Sequence, residues 1–370
     1  MRSVAEQPLY PVCRIHIDEL GDAIGVWQHA IGSRPNREFG YCTDDVARAL
    51  EVDILHSSIL GWAAVEASAA RSMAFLRDAF NAGRGRFRNF RSADGEWLDE
   101  IGSEDCHARA LLALGIAMAD ASDPTLAGEA RRLFREALPA ARDLTGLRPI
   151  AAVLLACDAA LRAGPDGDSS ATLAALSGRL SGAFMELAAD WPWPEPVVTY
   201  ENALLPLALI AAGRRLDDAH MRRIGCQVLD WLTLAQTGDS GRLSLVGNAS
   251  WWCRGETPAR FDQQPIDAAS LLLAAEAAYA ATGAKRYLHL AEMAYGWFLG
   301  DNDRNVPVAI PETGGCHDGL TPNGVNLNQG AESTLMWLIA LEHIRRLRAA
   351  SRSSEVAIPG PTPSVSQVLS

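Results

Sequence analysis

Asp44-Asp45-Val46-Ala47-Arg48-Ala49-Leu50 and Asp105-Cys106-His107-Ala108-Arg109-Ala110-Leu111 repeat one pattern: an acid, two variable positions, then Ala-Arg-Ala-Leu. Each opens a stretch, residues 46–55 and 107–119, that is apolar nearly all round at helical period. Such a helix is buried on every side. Acids are favoured at helix starts, where unpaired N–H groups and the macrodipole stabilise negative charge, so capping accounts for each cluster taken singly. It does not account for the recurrence. Polar clusters also stand at Tyr200-Glu201-Asn202, Phe261-Asp262-Gln263-Gln264 and Asn328-Gln329-Gly330-Ala331-Glu332, ahead of further all-apolar runs at 203–212, 266–281 and 334–347. A sixth such run is 150–161.

Amphipathic stretches at 13–31, 62–81, 125–144, 172–189, 217–236 and 285–299 alternate with these six. Alternation of buried and half-solvated helices predicts a closed ring of helical hairpins, an all-α (α/α)6 toroid with an inner and an outer layer. The spacing between inner runs is irregular, so the repeat is degenerate. An open superhelix of helix pairs is the competing architecture. Against it stand long polar and aromatic connections, 83–103, 190–200, 238–264 and 300–329, which all precede inner helices and would crowd one end of a ring. Short β-hairpins are expected near 86–90 and 243–246. Residues 1–349 are expected to form this single domain. Residues 350–370, with Pro359, Pro361 and Pro363, read as a disordered Ser/Pro-rich tail.

Apolar residues make up 48 % of the 370, and charged residues 21 %. With 33 basic and 45 acidic side chains the net charge is −12, which argues against nucleic acid or an anionic membrane as partner and favours a neutral ligand. Seven cysteines, an odd number in a chain too large to need disulfide staples, predict reduced thiols and a cytoplasmic location. The first 20 residues carry Glu6, Asp18 and Glu19 and read as neither a secretory signal nor an anchor. No run reaches the roughly 18 apolar residues of a spanning helix.

The segments Phe-Arg-Asn-Phe at 87–90, Gly-Ser-Glu-Asp-Cys-His-Ala-Arg-Ala-Leu at 102–111, Trp-Pro-Trp-Pro-Glu at 191–195, Thr-Tyr-Glu-Asn-Ala-Leu-Leu-Pro at 199–206, Phe-Asp-Gln-Gln-Pro at 261–265 and Asn-Gln-Gly-Ala-Glu-Ser-Thr-Leu at 328–335 carry a resemblance. Together they resemble a bacterial family of helical-toroid domains found alone or beside sugar-nucleotide glycosyltransferases and mannoside phosphorylases. More distantly the chain is similar to the six-hairpin glycosidase superfamily, which also holds lyases, phosphorylases and epimerases. The resemblance implies an enzyme acting on an oligosaccharide, foremost a glycoside hydrolase. Its alternatives are a sugar epimerase or isomerase working through His107 or His317, and a non-catalytic module binding a glycan or a glycosyltransferase.

Glycoside hydrolysis needs one protonated carboxyl to assist the leaving oxygen and one ionised carboxyl to activate water or attack the sugar. By analogy with six-hairpin enzymes, Glu201 is assigned as the acid, with Trp191, Trp193 and Tyr200 as apolar surroundings that would raise its pKa. Asp318 or Glu332 is the expected base, and Asp105 a further catalytic candidate. Asp44, Asp45, Glu104, Asp262 and His107 are expected to bond sugar hydroxyls. Trp191, Trp193, Tyr200, Asn202, Gln263, Gln264, His317, Asn328 and Gln329 join them in the binding set, the aromatic rings as stacking faces for a sugar's C–H surface and the amides as matches for hydroxyls that both donate and accept. The Cys106-His107 and Cys316-His317 pairs invite a zinc reading, but adjacent residues rarely aim at one metal and no Cys-x-x-Cys spacing occurs. No metal is expected, and no nucleophile elbow, phosphate loop or dinucleotide fingerprint calls for an organic cofactor.

Overall fold

The computed structural model describes residues 6–185 and 187–356. In chain order the elements used below are α1 (Ile15–Leu20), β1 (Trp27–Ile31), β2 (Arg34–Cys42), α2 (Thr43–Leu60), α3 (Glu66–Ala79), α4 (Glu104–Asp120), α5 (Pro124–Ala137), α6 (Leu147–Arg162), α7 (Gly167–Ala183), α8 (Leu204–Arg215), α9 (Ala219–Ala235), α10 (Pro265–Thr282), α11 (Lys285–Phe298) and α12 (Ala331–Val356). The even-numbered helices touch one another in a closed cycle, α2 to α4, α6, α8, α10, α12 and back to α2. Each of α3, α5, α7, α9 and α11 packs outside the inner helix before it. This is the (α/α)6 toroid. The layers follow from composition: α10 buries Ile266, Leu271, Leu272 and Ala275, whereas the outer α5 buries one stripe, Leu126, Ala130, Leu133, Phe134 and Ala137.

Inner helices approach closely because they are rich in small residues. A Cβ on Gly115 of α4 would stand 2.5 Å from the carbonyl oxygen of Ala156 on α6, so only glycine permits that crossing. Apolar rings fill the seam between α11 and α12, where Tyr295 and Trp337 stack at 5.7 Å. The links from inner to outer helices are short, and those from outer to the next inner helix are mostly long, notably 80–103, 236–264 and 299–330. The long links therefore gather at the end where the inner helices begin.

The expected outer helix over 13–31 is corrected by the structure. Only Ile15–Leu20 is helical there, and Trp27–Ile31 pairs antiparallel with Arg34–Cys42. Gly32, at φ 60°, supplies the left-handed turn residue of this hairpin, and Gly21 ends α1. The sixth outer position is thus filled by a short helix, with α1 and β1 lying against α12. Of the two small hairpins expected, Arg86–Phe87 does pair, with Phe80–Asn81, while Phe90–Arg91 extends the β1–β2 sheet. Residues 243–246 form no paired strand and hold a single bridge, Leu243 to Thr237. Helix α12 runs past the expected boundary at 350 to Val356, and the remainder of the expected tail lies outside the described residues.

Candidate functional site

At the loop-rich end the starts of α2, α4, α10 and α12 surround a cavity of about 540 Å³. Two elements complete its rim: the β1–β2 hairpin, through Gln28 and His29, and the loops carrying Asn248, Trp251, Asp262 and Asp318. Its deepest charges are Arg48 and Arg109, the arginines of the repeated motif, each one helical turn past its acid. Arg48 is 4 % exposed and lies between Asp45 Oδ1 at 3.0 Å and Glu332 Oε2 at 2.9 Å. Arg109 meets Glu201 Oε2 at 2.5 Å and approaches Asp44 Oδ1 at 3.8 Å. Burial pushes Asp45 up to about 7, with Glu332 and Asp44 reinforcing the rise and Arg48 opposing it.

Asp105 is placed by a chain of contacts. Arg148 of α6 donates to Glu195, to the Asn202 side chain and to the Tyr200 carbonyl at 2.6 Å, and its guanidinium lies 4.8 Å over the Tyr200 ring. So fixed, the Tyr200 hydroxyl donates to Asp105 Oδ2 at 2.7 Å, and the carboxyl lines the cavity. Burial raises the Asp105 pKa, aided by Glu201 and Asp44 against Tyr200 and Arg109. Asp318 comes from the loop before α12. Its Oδ1 accepts the Gly330 N–H at 2.7 Å, and a side chain at Gly330 would crowd that oxygen. Burial raises its pKa too, while His29 and His317 work against the rise. Backbone strain gathers here: Trp251 (φ 59°) and Asp262 (φ 60°) line the cavity and Glu201 (φ 45°) sits behind it, all left-handed without being glycine.

Of the residues expected at the site, Asp44, Asp45, Asp105, Tyr200, Asp262, Gln263, Gln264, Asp318 and Glu332 line the cavity. Gln263 does so with its amide already committed, donating to Asp303 and accepting from the Trp297 indole. The others lie elsewhere. Glu201 is 3 % exposed and faces Arg109 from behind. Glu104 accepts from the Thr145 and Gly146 N–H groups; burial works to raise its pKa, but these bonds hold it below the usual range. His107 is fully buried 5.6 Å from the Phe87 ring, and burial lowers its pKa to about 3. Trp191 and Trp193 belong to a buried aromatic cluster with Trp231 and Trp252. Asn202 bonds Arg148 and Thr199, and Asn328 accepts from Gly32 N–H. His317 and Gln329 stand in the loop below the rim, Gln329 pairing its backbone with Gly32 and His16.

Sequence reasoning missed His29, Arg48, Arg109, Asn89 and Ser333 among the lining residues. A charged residue repeated inside an all-apolar helix was the available signal for the arginines. His29 was hidden because its strand was read as helix. Among the described residues no group of three or more His, Cys, Asp or Glu side chains is placed to hold a metal ion, and all seven cysteines are free thiols. No described helix is long and apolar enough to cross a membrane.

No protein-family model matches this chain, and no curated protein sequence does. Solved structures do match. A cellobiose 2-epimerase from Bacillus thermoamylovorans B4167 superposes with a TM-score of 0.70 at 13 % identity, over 90 % of this chain and 95 % of that one. A sugar epimerase from a ruminal bacterium gives 0.69 at 14 %, over 89 % and 95 %. The GH76 α-mannanase of Bacteroides thetaiotaomicron gives 0.65 at 10 %, over 91 % and 94 %. At such identities the likeness is one of fold.

Proposed function

We propose that this chain is a carbohydrate-processing enzyme, and within that class a glycoside hydrolase acting on an oligosaccharide in the cavity at the toroid's loop-rich end. The observation that carries the reading is the pair Asp105 and Asp318, two cavity-lining carboxyls on ring positions separated by α2, both pushed above the ordinary aspartate range by burial. Asp105, among the like charges Glu201 and Asp44, is the general acid, its carboxyl delivering a proton to the glycosidic oxygen. Asp318, beside His29, is the base that activates water. Glu201 becomes the buried counterion of Arg109, and Glu332, held by Arg48, a second candidate base. The α-mannanase among the structural neighbours supports hydrolysis, and the narrower glycosyltransferase-associated family stays with the sequence motifs. Free thiols support a cytoplasmic setting.

His29 favours a second reading, since an imidazole lining the cavity is a fitting base for proton transfer at a sugar carbon, and two of the neighbours are described as epimerases. His107 and His317, the bases first expected for that chemistry, do not line the cavity. Reducing-sugar release from a panel of mannosides, glucosides and xylosides separates the readings. Hydrolysis predicts turnover that falls about 10²–10⁴-fold in Asp105→Asn and Asp318→Asn. Solvent deuterium entering a free sugar, lost in His29→Ala, would instead establish the epimerase.

A further inference from the structure

We infer that the cavity prefers a sugar bearing a free, protonated amino group over its neutral, N-acetylated or carboxylated counterparts. The inference rests on the reading that the cavity takes a sugar, and it begins with the balance of charge. The carboxyls of Asp44, Asp45, Asp105, Asp262, Asp318 and Glu332 line the cavity against two guanidinium groups. Both guanidinium groups are already bracketed: Arg48 by Asp45 and Glu332, Arg109 by Glu201 and Asp44. A carboxylate or phosphate on the ligand would find no uncommitted Lys or Arg, only the His29 imidazole, and would enter a net negative site in a chain of charge −12. Asp262 and Asp318, by contrast, have no Lys or Arg within ion-pair distance among the described residues, while Asp105, the proton-bearing acid of the proposed reaction, adds no charge.

Two further observations turn this excess into a recognition site for a particular ligand. Tyr200 and Trp251 both line the cavity, their rings 6.3 Å apart at 49°; Tyr200 bonds Asp105, and Trp251 shares a loop with Asp262. Aromatic faces and carboxylates together suit an ammonium group, which each attracts electrostatically. At the deep side the guanidinium groups of Arg48 and Arg109 also line the cavity. Guanidinium N–H groups donate, and sugar oxygens accept. Donors at the floor and unpaired carboxylates at the side describe one molecule with oxygens at one edge and a cation at another. A bare metal ion has no such division, and no metal-holding cluster exists among the described residues.

Calorimetric titration of the full chain tests this with matched oligosaccharides: glucosamine, mannosamine and galactosamine oligomers, their N-acetylated and neutral counterparts, and a uronate series. The amine should bind about tenfold more tightly than the neutral sugar of the same stereochemistry, the advantage shrinking as salt is raised, with the uronate weakest. Asp262→Asn should reduce the amine-to-neutral ratio to about threefold or less, and Asp318→Asn should reduce it as well. Equal or tighter binding of neutral or N-acetylated sugars, or a ratio indifferent to salt and to both substitutions, overturns the inference while leaving a sugar site standing. Absence of binding by every sugar overturns the carbohydrate reading and this one together.

Discussion

At the starts of α5, α7 and α9 the carboxylates of Asp123, Asp166 and Asp218 accept N–H bonds from their own first turns. At the starts of α2, α8 and α10 no side chain caps the helix, and at α4 the cap is the hydroxyl of Ser103. The acids of the inner ring are therefore released for other work: Asp44, Asp45 and Asp105 face the cavity, Glu104 bonds N–H groups at the start of the neighbouring α6, and Glu201 holds Arg109. The same residue type at the same kind of position is a local cap in one ring and part of a shared site in the other. What differs is the neighbourhood. An outer helix start meets solvent and its own N–H groups, whereas an inner start meets its neighbours in the ring and, at α2, α4, α10 and α12, a pocket.

This contrast can be broken by experiment. Glu201→Ala leaves the Arg109 guanidinium buried without its closest partner, and should cost about 3–5 kcal/mol in urea unfolding. A loss no greater than that of an outer cap would erase the distinction. The second test uses Asp267, in the first turn of α10, which burial raises to about 7 from an ordinary 3.8, with Glu201 adding to the rise and Asn202 opposing it. A carboxyl whose folded-state value is raised contributes stability that is complete below the unfolded value and lost as pH rises through the folded one. Unfolding free energy should thus decline by about 4 kcal/mol between about pH 4 and about pH 8, and Asp267→Asn should flatten that decline. An unchanged slope in the variant would show that Asp267 does not carry it. The smallest effect belongs to the outer ring: Asp218→Ala should lower the urea midpoint slightly through a lost cap, less than either inner-ring change, with turnover and sugar binding unaltered. Altered turnover would mean the outer starts reach the site after all.

Much of the fold was legible because hydrophobic period reports burial directly. Ile266, Leu271 and Ala275 have no polar face to offer solvent, and α10 lies where that demands. The N-terminal segment shows where hydrophobic period is ambiguous. A glycine-bearing stretch such as 21–32 keeps an apolar rhythm that a helix and a hairpin share, and Gly32 alone marks the turn. At the site, position along the chain located Asp105, Tyr200, Asp262 and Asp318 at the cavity, because inner starts and long loops share one end. It did not distinguish them from Glu201, Trp191 or Trp193, which carry the same chemical signature and point into packed protein.

The sequence by itself determined two layers of helices, the end of the ring at which polar groups collect, and the repeated Asp-x-x-Ala-Arg-Ala-Leu motif. These depend on periodicity and on connection length, which are local properties of the chain. Only the tertiary structure decided that Arg48 and Arg109 meet different acids, that Tyr200 orients Asp105, and that Asp105, Asp262 and Asp318 have no Lys or Arg ion-pair partner among the described residues. Pairing of charges across a ring depends on which helices become neighbours and how far each side chain reaches, and neither quantity is written in the spacing of residues along one helix.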